Sequence, residues 1–219
     1  MLAASETARR MAPYLWTLQY THLFPTHCFV LDDGAGRAVG YVIGTPDAFA
    51  LAAAYPRYVR EVLESDQGRR DVPAPPQLDR LEPFTCAAAP APAPDGSGGN
   101  AGARVVVNPT AMAQIAYSVR FLALEGVEGK AELVRAYRAL LHIDLLAPYQ
   151  GRGWGKQLIE AFVASVRSGA SAGAYDCGKG IHIGVSGENT KVVPFYEKCG
   201  FRVYPGGERE GNVWMTRDL

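Results

Sequence analysis

One stretch, Leu140 to Phe162 (LLHIDLLAPYQGRGWGKQLIEAF), constrains what this chain can fold into more than any other. An apolar run, Leu140 to Leu146, gives way to Tyr149-Gln150-Gly151-Arg152-Gly153-Trp154-Gly155. After it, Leu158, Ile159, Phe162, Val163 and Val166 recur at three- and four-residue steps. The pattern reads as strand, glycine turn, helix. Alternating glycines let successive backbone N–H groups turn inward. The helix adds its unpaired N-terminal amides and the positive end of its dipole. The stretch therefore predicts a phosphate-holding element, and the question becomes which phosphate.

Around it the chain alternates strand and helix patterns. Glu6 to Tyr20 reads as a helix capped by Ser5 and interrupted or started by Pro13. His27 to Leu31 and Ala38 to Thr45 read as the strands of a hairpin, joined by the Asp32-Asp33-Gly34-Ala35-Gly36 turn. A helix is expected from Ala48 to about Glu64. Residues Asp66 to Asn108 are dominated by Pro, Ala, Gly and Ser, and 86–103 reads as a mobile low-complexity loop. Helices follow at Thr110–Leu124, with Thr110 as N-cap, and at Lys130–Arg138; another should run from Gly155 to Val166. Strands are read at Ile181–Val185, Phe201–Tyr204 and Asn212–Thr216, and a helix at Asn189–Cys199 closed by Gly200. Pro205-Gly206-Gly207 reads as a turn.

Composition bounds the function. The chain has 219 residues, 48% hydrophobic and 20% charged, with zero formal net charge. That suits one globular domain over 1–219 and argues against broad nucleic-acid or membrane-surface binding. No apolar run approaches the roughly 18 residues of a membrane span, and the N-terminus lacks the order of a secretory signal. Cys28, Cys86, Cys177 and Cys199 show no metal-ligand spacing, so free thiols, an intracellular (cytoplasmic) location and no metal are expected.

A Walker loop needs G-x-x-x-x-G-K-[ST]. Here Gly151 to Gly155 is one residue short, and Gln157 replaces the hydroxyl residue. In a G-x-G-x-x-G reading the third glycine comes early, and the acidic residue at the expected distance, Asp176, falls in a loop. Q-x-x-G-x-G is filled by Gln150, Gly153 and Gly155, and here the sequence resembles the GNAT N-acetyltransferases. A second stretch, Asn189 to Phe201 (NTKVVPFYEKCGF), is similar to their second signature through Asn189, Tyr196, Lys198, Gly200 and Phe201; Val192 stands where Ala is usual. The resemblance covers about 139–217. It implies an α/β (α+β) fold with a mixed, mostly antiparallel central sheet flanked by helices. A long helical and low-complexity insertion precedes the cofactor-binding strand. Two features depart from the family order: only one helix is read before His27, with no strand ahead of it, and about ninety residues separate hairpin from cofactor strand. The HIDLL run and this insertion are also similar to a narrower group, the acetyltransferase-like domains related to the C-terminal domain of eukaryotic O-GlcNAc hydrolases.

The resemblance implies acetyl-CoA as co-substrate and direct transfer of acetyl to a primary amine in a ternary complex, by a monomer or homodimer. The pyrophosphate would lie on the amides of Gln150, Gly151, Arg152, Gly153, Trp154 and Gly155, with Lys156 and Asn189 nearby. Side chains at Gly153 or Gly155 would obstruct it. Pantetheine would run along Leu145, Leu146 and Ala147, the thioester carbonyl would face an amide near Leu145, and Tyr196 would protonate the departing thiolate. Trp154 itself reads as a packing residue. Arg152 reads either as a contact to the adenosine phosphate or as a solvated side chain. His142 and Asp144, two apart on a strand, share a face and are candidates for taking the amine's proton; a purely structural pair is the alternative. Asp47 is a further candidate, balanced by an N-cap role, as is His182. Cys199 has no base at nucleophile spacing. The rival reading from another class is a non-catalytic acetyl-CoA sensor or protein-interaction module that keeps the fold.

Overall fold

The computed structural model describes residues 5–87, 105–126, 128–206 and 212–219. Most of the expected loop at 86–103, and Gly207 of the expected turn, lie outside the described residues; Thr85–Ala87 is a strand.

The alternating hydrophobic runs build a six-stranded sheet from β1 (Phe29–Asp32), β2 (Ala38–Thr45), β5 (Ala139–Leu145), β6 (Gly180–Ser186), β7 (Arg202–Val203) and β8 (Asn212–Asp218). Their order is β1-β2-β5-β6-β8-β7. Every neighbouring pair is antiparallel except β5 and β6. A short ribbon, β3 (Thr85–Ala87) with β4 (Val105–Val107), stands apart. This is the mixed, mostly antiparallel sheet that the sequence predicts.

Side-chain alternation divides the core into two layers. Leu141, Ile181, Ile183, Val185 and Met215 face one way and pack on Leu158, Ile159, Phe162, Val163 and Val166 of α7 (Trp154–Ser171). On the opposite face, Ile43 and Leu140 meet α1 (Glu6–Trp16), α2 (Leu18–Leu23), α3 (Ala48–Tyr58) and α5 (Pro109–Tyr117). The insertion between β2 and β5 thus supplies much of the second layer.

Local chemistry explains where the elements begin and end, including where they depart from the sequence reading. Ser5 caps α1, accepting from Ala8 N–H at 3.2 Å. The helix runs through Pro13 and breaks at Thr17, so two helices precede β1, and His27 falls in a 3-10 turn. Asn108 rather than Thr110 caps α5, accepting from Thr110 N–H at 3.0 Å with Pro109 at the first helical position. Both α3 and α5 lead into single π-turns, Val59–Leu63 and Arg120–Leu124. A short α4 (Asp66–Asp71), capped by Ser65, and the β3–β4 ribbon sit where the sequence offered only Pro/Ala/Gly bias. Helix α6 is Lys130–Ala136 and α8 is Val193–Lys198. Asn189 does not start α8: it lies in the preceding 3-10 turn with φ −125°, outside helical conformation. Gly200 does close α8. With φ +83°, it lets Phe201 N–H reach Tyr196 C=O at 3.0 Å and its own N–H reach Glu197 C=O at 2.9 Å. That turn drives Phe201 into the core.

The β5–β6 junction is locked at its start. Arg138, just before β5, holds Asp47 through Nε–Oδ1 at 3.0 Å and Nη2–Oδ2 at 2.6 Å, and also pairs with Asp176. Across the sheet, buried His182 donates from Nδ1 to Tyr137 C=O at 2.6 Å, and its pKa is pushed down to about 4 by burial. No helix among the described residues is long and apolar enough to cross a membrane.

Candidate active site

Beyond that locked start, β5 and β6 part company. They pair only at Ala139↔Ile181 and Leu140↔His182, although β5 continues to Leu145 and β6 to Ser186. On its other edge β5 stays paired with β2 through Leu145↔Gly40, and Leu146 N–H donates to Val39 C=O at 2.9 Å. Antiparallel alternation then points the N–H and C=O groups of Leu141, Ile143 and Leu145 away from β2, into the opening. Of these, Leu145 C=O accepts from Gln150 Nε2 at 2.8 Å. A backbone edge facing a gap between parallel strands can receive an extended ligand rich in amides.

The glycine loop lies at the mouth of this opening. Gly151 and Gly153 adopt φ +70° and +85°, a region that penalises any side chain, and open space surrounds both Cα atoms. Gly153 occupies the N-cap of α7 without a capping side chain, and the first intrahelical bond is Gln157 N–H to Gly153 C=O at 3.3 Å. The N–H groups of Trp154, Gly155 and Lys156 are therefore left for a ligand. Gly155 also has a packing task. A Cβ there would come within 3.0 Å of Phe195, so this glycine lets α7 approach α8. Trp154 is 38% exposed, which corrects its reading as a packing residue. Arg152, Lys156, Leu146, Ala147 and Asn189 are likewise exposed around the loop.

Tyr196 lies on α8, half-buried. Its ring is held against Phe195 and Phe201, with centroids 5.1 and 5.8 Å apart. Burial, with Cys199 and then Asp144 adding, pushes its phenol up to about 12, so it stays protonated and able to donate. Asp144 and His142 share the β5 face opposite α7, and both side chains open to solvent. His142 is nonetheless recessed: desolvation draws its pKa below the ordinary imidazole value, against the pull of Asp144. Its ring lies 6.1 Å from that of Tyr41, and Tyr41 is the β2 partner of Asp144. His142 with Asp144 on one strand face offers a base, and the protonated phenol of Tyr196 offers an acid.

Two other expected residues stand elsewhere. Asp47 caps α3, accepting from Phe49 N–H at 2.8 Å, and its remaining capacity goes to Arg138, so it is structural. His182 is 3% exposed and bonded to Tyr137 C=O, which removes it from the cleft chemistry. Cys199 is buried at the end of α8, and desolvation raises its thiol pKa. Tyr41, paired with Asp144, and Trp214, paired with Gly184, are aromatic neighbours of this face that the sequence reading did not single out. Strand alternation from Tyr41 in GYVIGT and Trp214 in NVWMT was the available signal. A separate groove of about 440 Å³, between α3 and Tyr117–Arg120, is distant in the fold from the glycine loop. Among the described residues no group of three or more His, Cys, Asp or Glu side chains could hold a metal ion.

Comparison with known proteins agrees with this geometry. Residues 116–203 match a family model described as an acetyltransferase (GNAT) domain, a span holding the glycine loop, the splayed strands and Tyr196. Among solved structures, one titled "Crystal structure of SsHAT" is 28% identical, with a TM-score of 0.62. The match covers 95% of this chain and 80% of the other, so much of the β2–β5 insertion is shared as well. The fold is of GNAT type, and the matched family supports acetyl transfer as the class of chemistry.

Proposed function

We propose that this chain, carrying a GNAT acetyltransferase domain, moves an acetyl group from acetyl-CoA to a primary amine by direct transfer in a ternary complex. The observation that carries the reading is the splayed edge of β5 running into the open amides of Gly151–Lys156. The pyrophosphate takes the loop amides and the pantetheine arm takes the Ile143–Leu145 edge. The N–H of Leu145 faces the thioester oxygen, because Gln150 already occupies the Leu145 carbonyl. An amine arrives as ammonium and loses one proton to solvent through His142. Its nitrogen then attacks the carbonyl carbon, a C–N bond forms and the C–S bond breaks. The second N–H proton passes to His142 with Asp144 beside it, and Tyr196 gives a proton to the sulfur. Cys199 takes no part. The narrower kinship with the acetyltransferase-like domains related to O-GlcNAc hydrolases rests on the HIDLL run and the helical insertion. We read residues 1–219 as one domain.

The test pairs binding with turnover. At about 100 times its dissociation constant acetyl-CoA is expected to stabilise the fold by about 2.7 kcal/mol in a thermal-shift assay. Thioester cleavage should then depend on an added amine. A shift without cleavage by any amine, unchanged by Tyr196→Phe, would make the chain a sensor; the absence of any shift would remove acetyl-CoA altogether.

A further inference from the structure

Resting on that acetyl-transfer reading, we propose that the sheet face bearing His142 and Asp144 is the acceptor cleft. Tyr41 and Trp214 form its two aromatic walls, and Asp144 acts as its charge filter. The favoured acceptor is an amine on a neutral or cationic alkyl chain; amines that also carry carboxylate or phosphate are rejected.

The placement follows from strand register. Leu140 pairs with His182, so two residues further on His142 stands level with Gly184 across the opening. Gly184 is exposed and pairs with Trp214 on β8. A Cβ on Gly184 would lie 2.9 Å from the six-membered ring of Trp214, so the indole rests directly over the glycine. The missing side chain is what lets the indole settle onto the sheet at this level. On the other side Tyr41 stands opposite Asp144, its ring against His142. The space is thus flanked by two flat apolar surfaces, which suit methylene chains.

Asp144 has neither an ion pair nor a hydrogen bond among the described residues. The nearby cation, Lys130, is already committed. Its Nζ donates to Leu122 C=O at 3.4 Å and Glu125 C=O at 3.1 Å, and it lies 5.6 Å from the centre of the Trp214 ring. Two of its three N–H donors thus go to backbone carbonyls, and the ammonium lies over the indole. Burial also pushes the Lys130 ammonium down to about 8. Asp144, an exposed carboxylate without an ion pair among the described residues, attracts ammonium groups and repels anions.

The experiment compares kcat/KM for cadaverine, Nα-acetyl-lysine amide, 6-aminohexanoate and glucosamine 6-phosphate. The first two should exceed the last two by at least about tenfold. Asp144→Asn should shrink that ratio to about threefold or less while leaving acetyl-CoA affinity unchanged. Trp214→Phe should raise the KM of the alkyl acceptors without altering acetyl-CoA affinity. Equal or better use of the anionic acceptors overturns the inference alone, as does an Asp144→Asn loss that is the same for every acceptor. Tight acetyl-CoA binding with no turnover on any amine overturns the acetyl-transfer reading and the inference together.

Discussion

Gly153→Val is expected to lower acetyl-CoA affinity by at least about tenfold while leaving a folded protein. Two costs combine. At φ +85° an L-residue loses about 1–2 kcal/mol of backbone energy, and more when β-branched. Nothing in the protein lies within 4 Å of a Cβ at this position, so the added side chain meets no wall. It projects instead into the space where phosphate must approach the amides of Trp154–Lys156. Gly34→Val separates the two costs. Gly34 sits in the β1–β2 turn at φ +86°, also with open space around it. Both variants should lose similar thermal stability, and only Gly153→Val should lose acetyl-CoA binding by titration calorimetry. Equal binding in the two variants would remove the loop from the cofactor site.

The second large effect belongs to His142. His142→Ala is expected to lower kcat by about 10²–10³-fold with little change in acetyl-CoA affinity, because a positioned general base contributes on that scale. The pH profile gives the sign. His142 has its pKa depressed in the folded protein, so its neutral, proton-accepting form dominates above that lowered value. Wild-type kcat should hold through neutral pH and fall only as pH drops below the ordinary imidazole range. The variant should lack that acid limb. Tyr196, held up to about 12, predicts no basic limb from the acid across the range where the fold can be assayed. A wild-type acid limb that persists in His142→Ala would assign the base to another group.

The sequence showed most clearly what depends on short-range chemistry. The glycine loop, the Ser5 cap, the hairpin turn and the Gly200 stop each rest on a few consecutive residues, and the structure places them where the residues suggest. The pairing of His142 with Asp144 followed from strand alternation alone. What stayed hidden depends on partners far along the chain. Asp47 lost its candidacy to Arg138, 91 residues away, and His182 lost its own to Tyr137 C=O. Gly155 could not be assigned without Phe195, which crosses it from α8. The gap beyond Leu140↔His182 is a missing set of hydrogen bonds, which no residue type announces. The β3–β4 ribbon joins two three-residue strands across the Pro/Ala/Gly segment, too short for periodicity to register. The break at Thr17 fell four residues after Pro13, the residue that drew attention to it.

Backbone amide hydrogen exchange with and without acetyl-CoA tests the central claim most directly, since the site is defined by N–H groups. The predicted result is slowed exchange at Gly151–Lys156 and at Ile143 and Leu145, with little change at Ala52–Arg60. Protection that appears only in the groove between α3 and Tyr117–Arg120, leaving the loop and the β5 edge unchanged, would contradict the account.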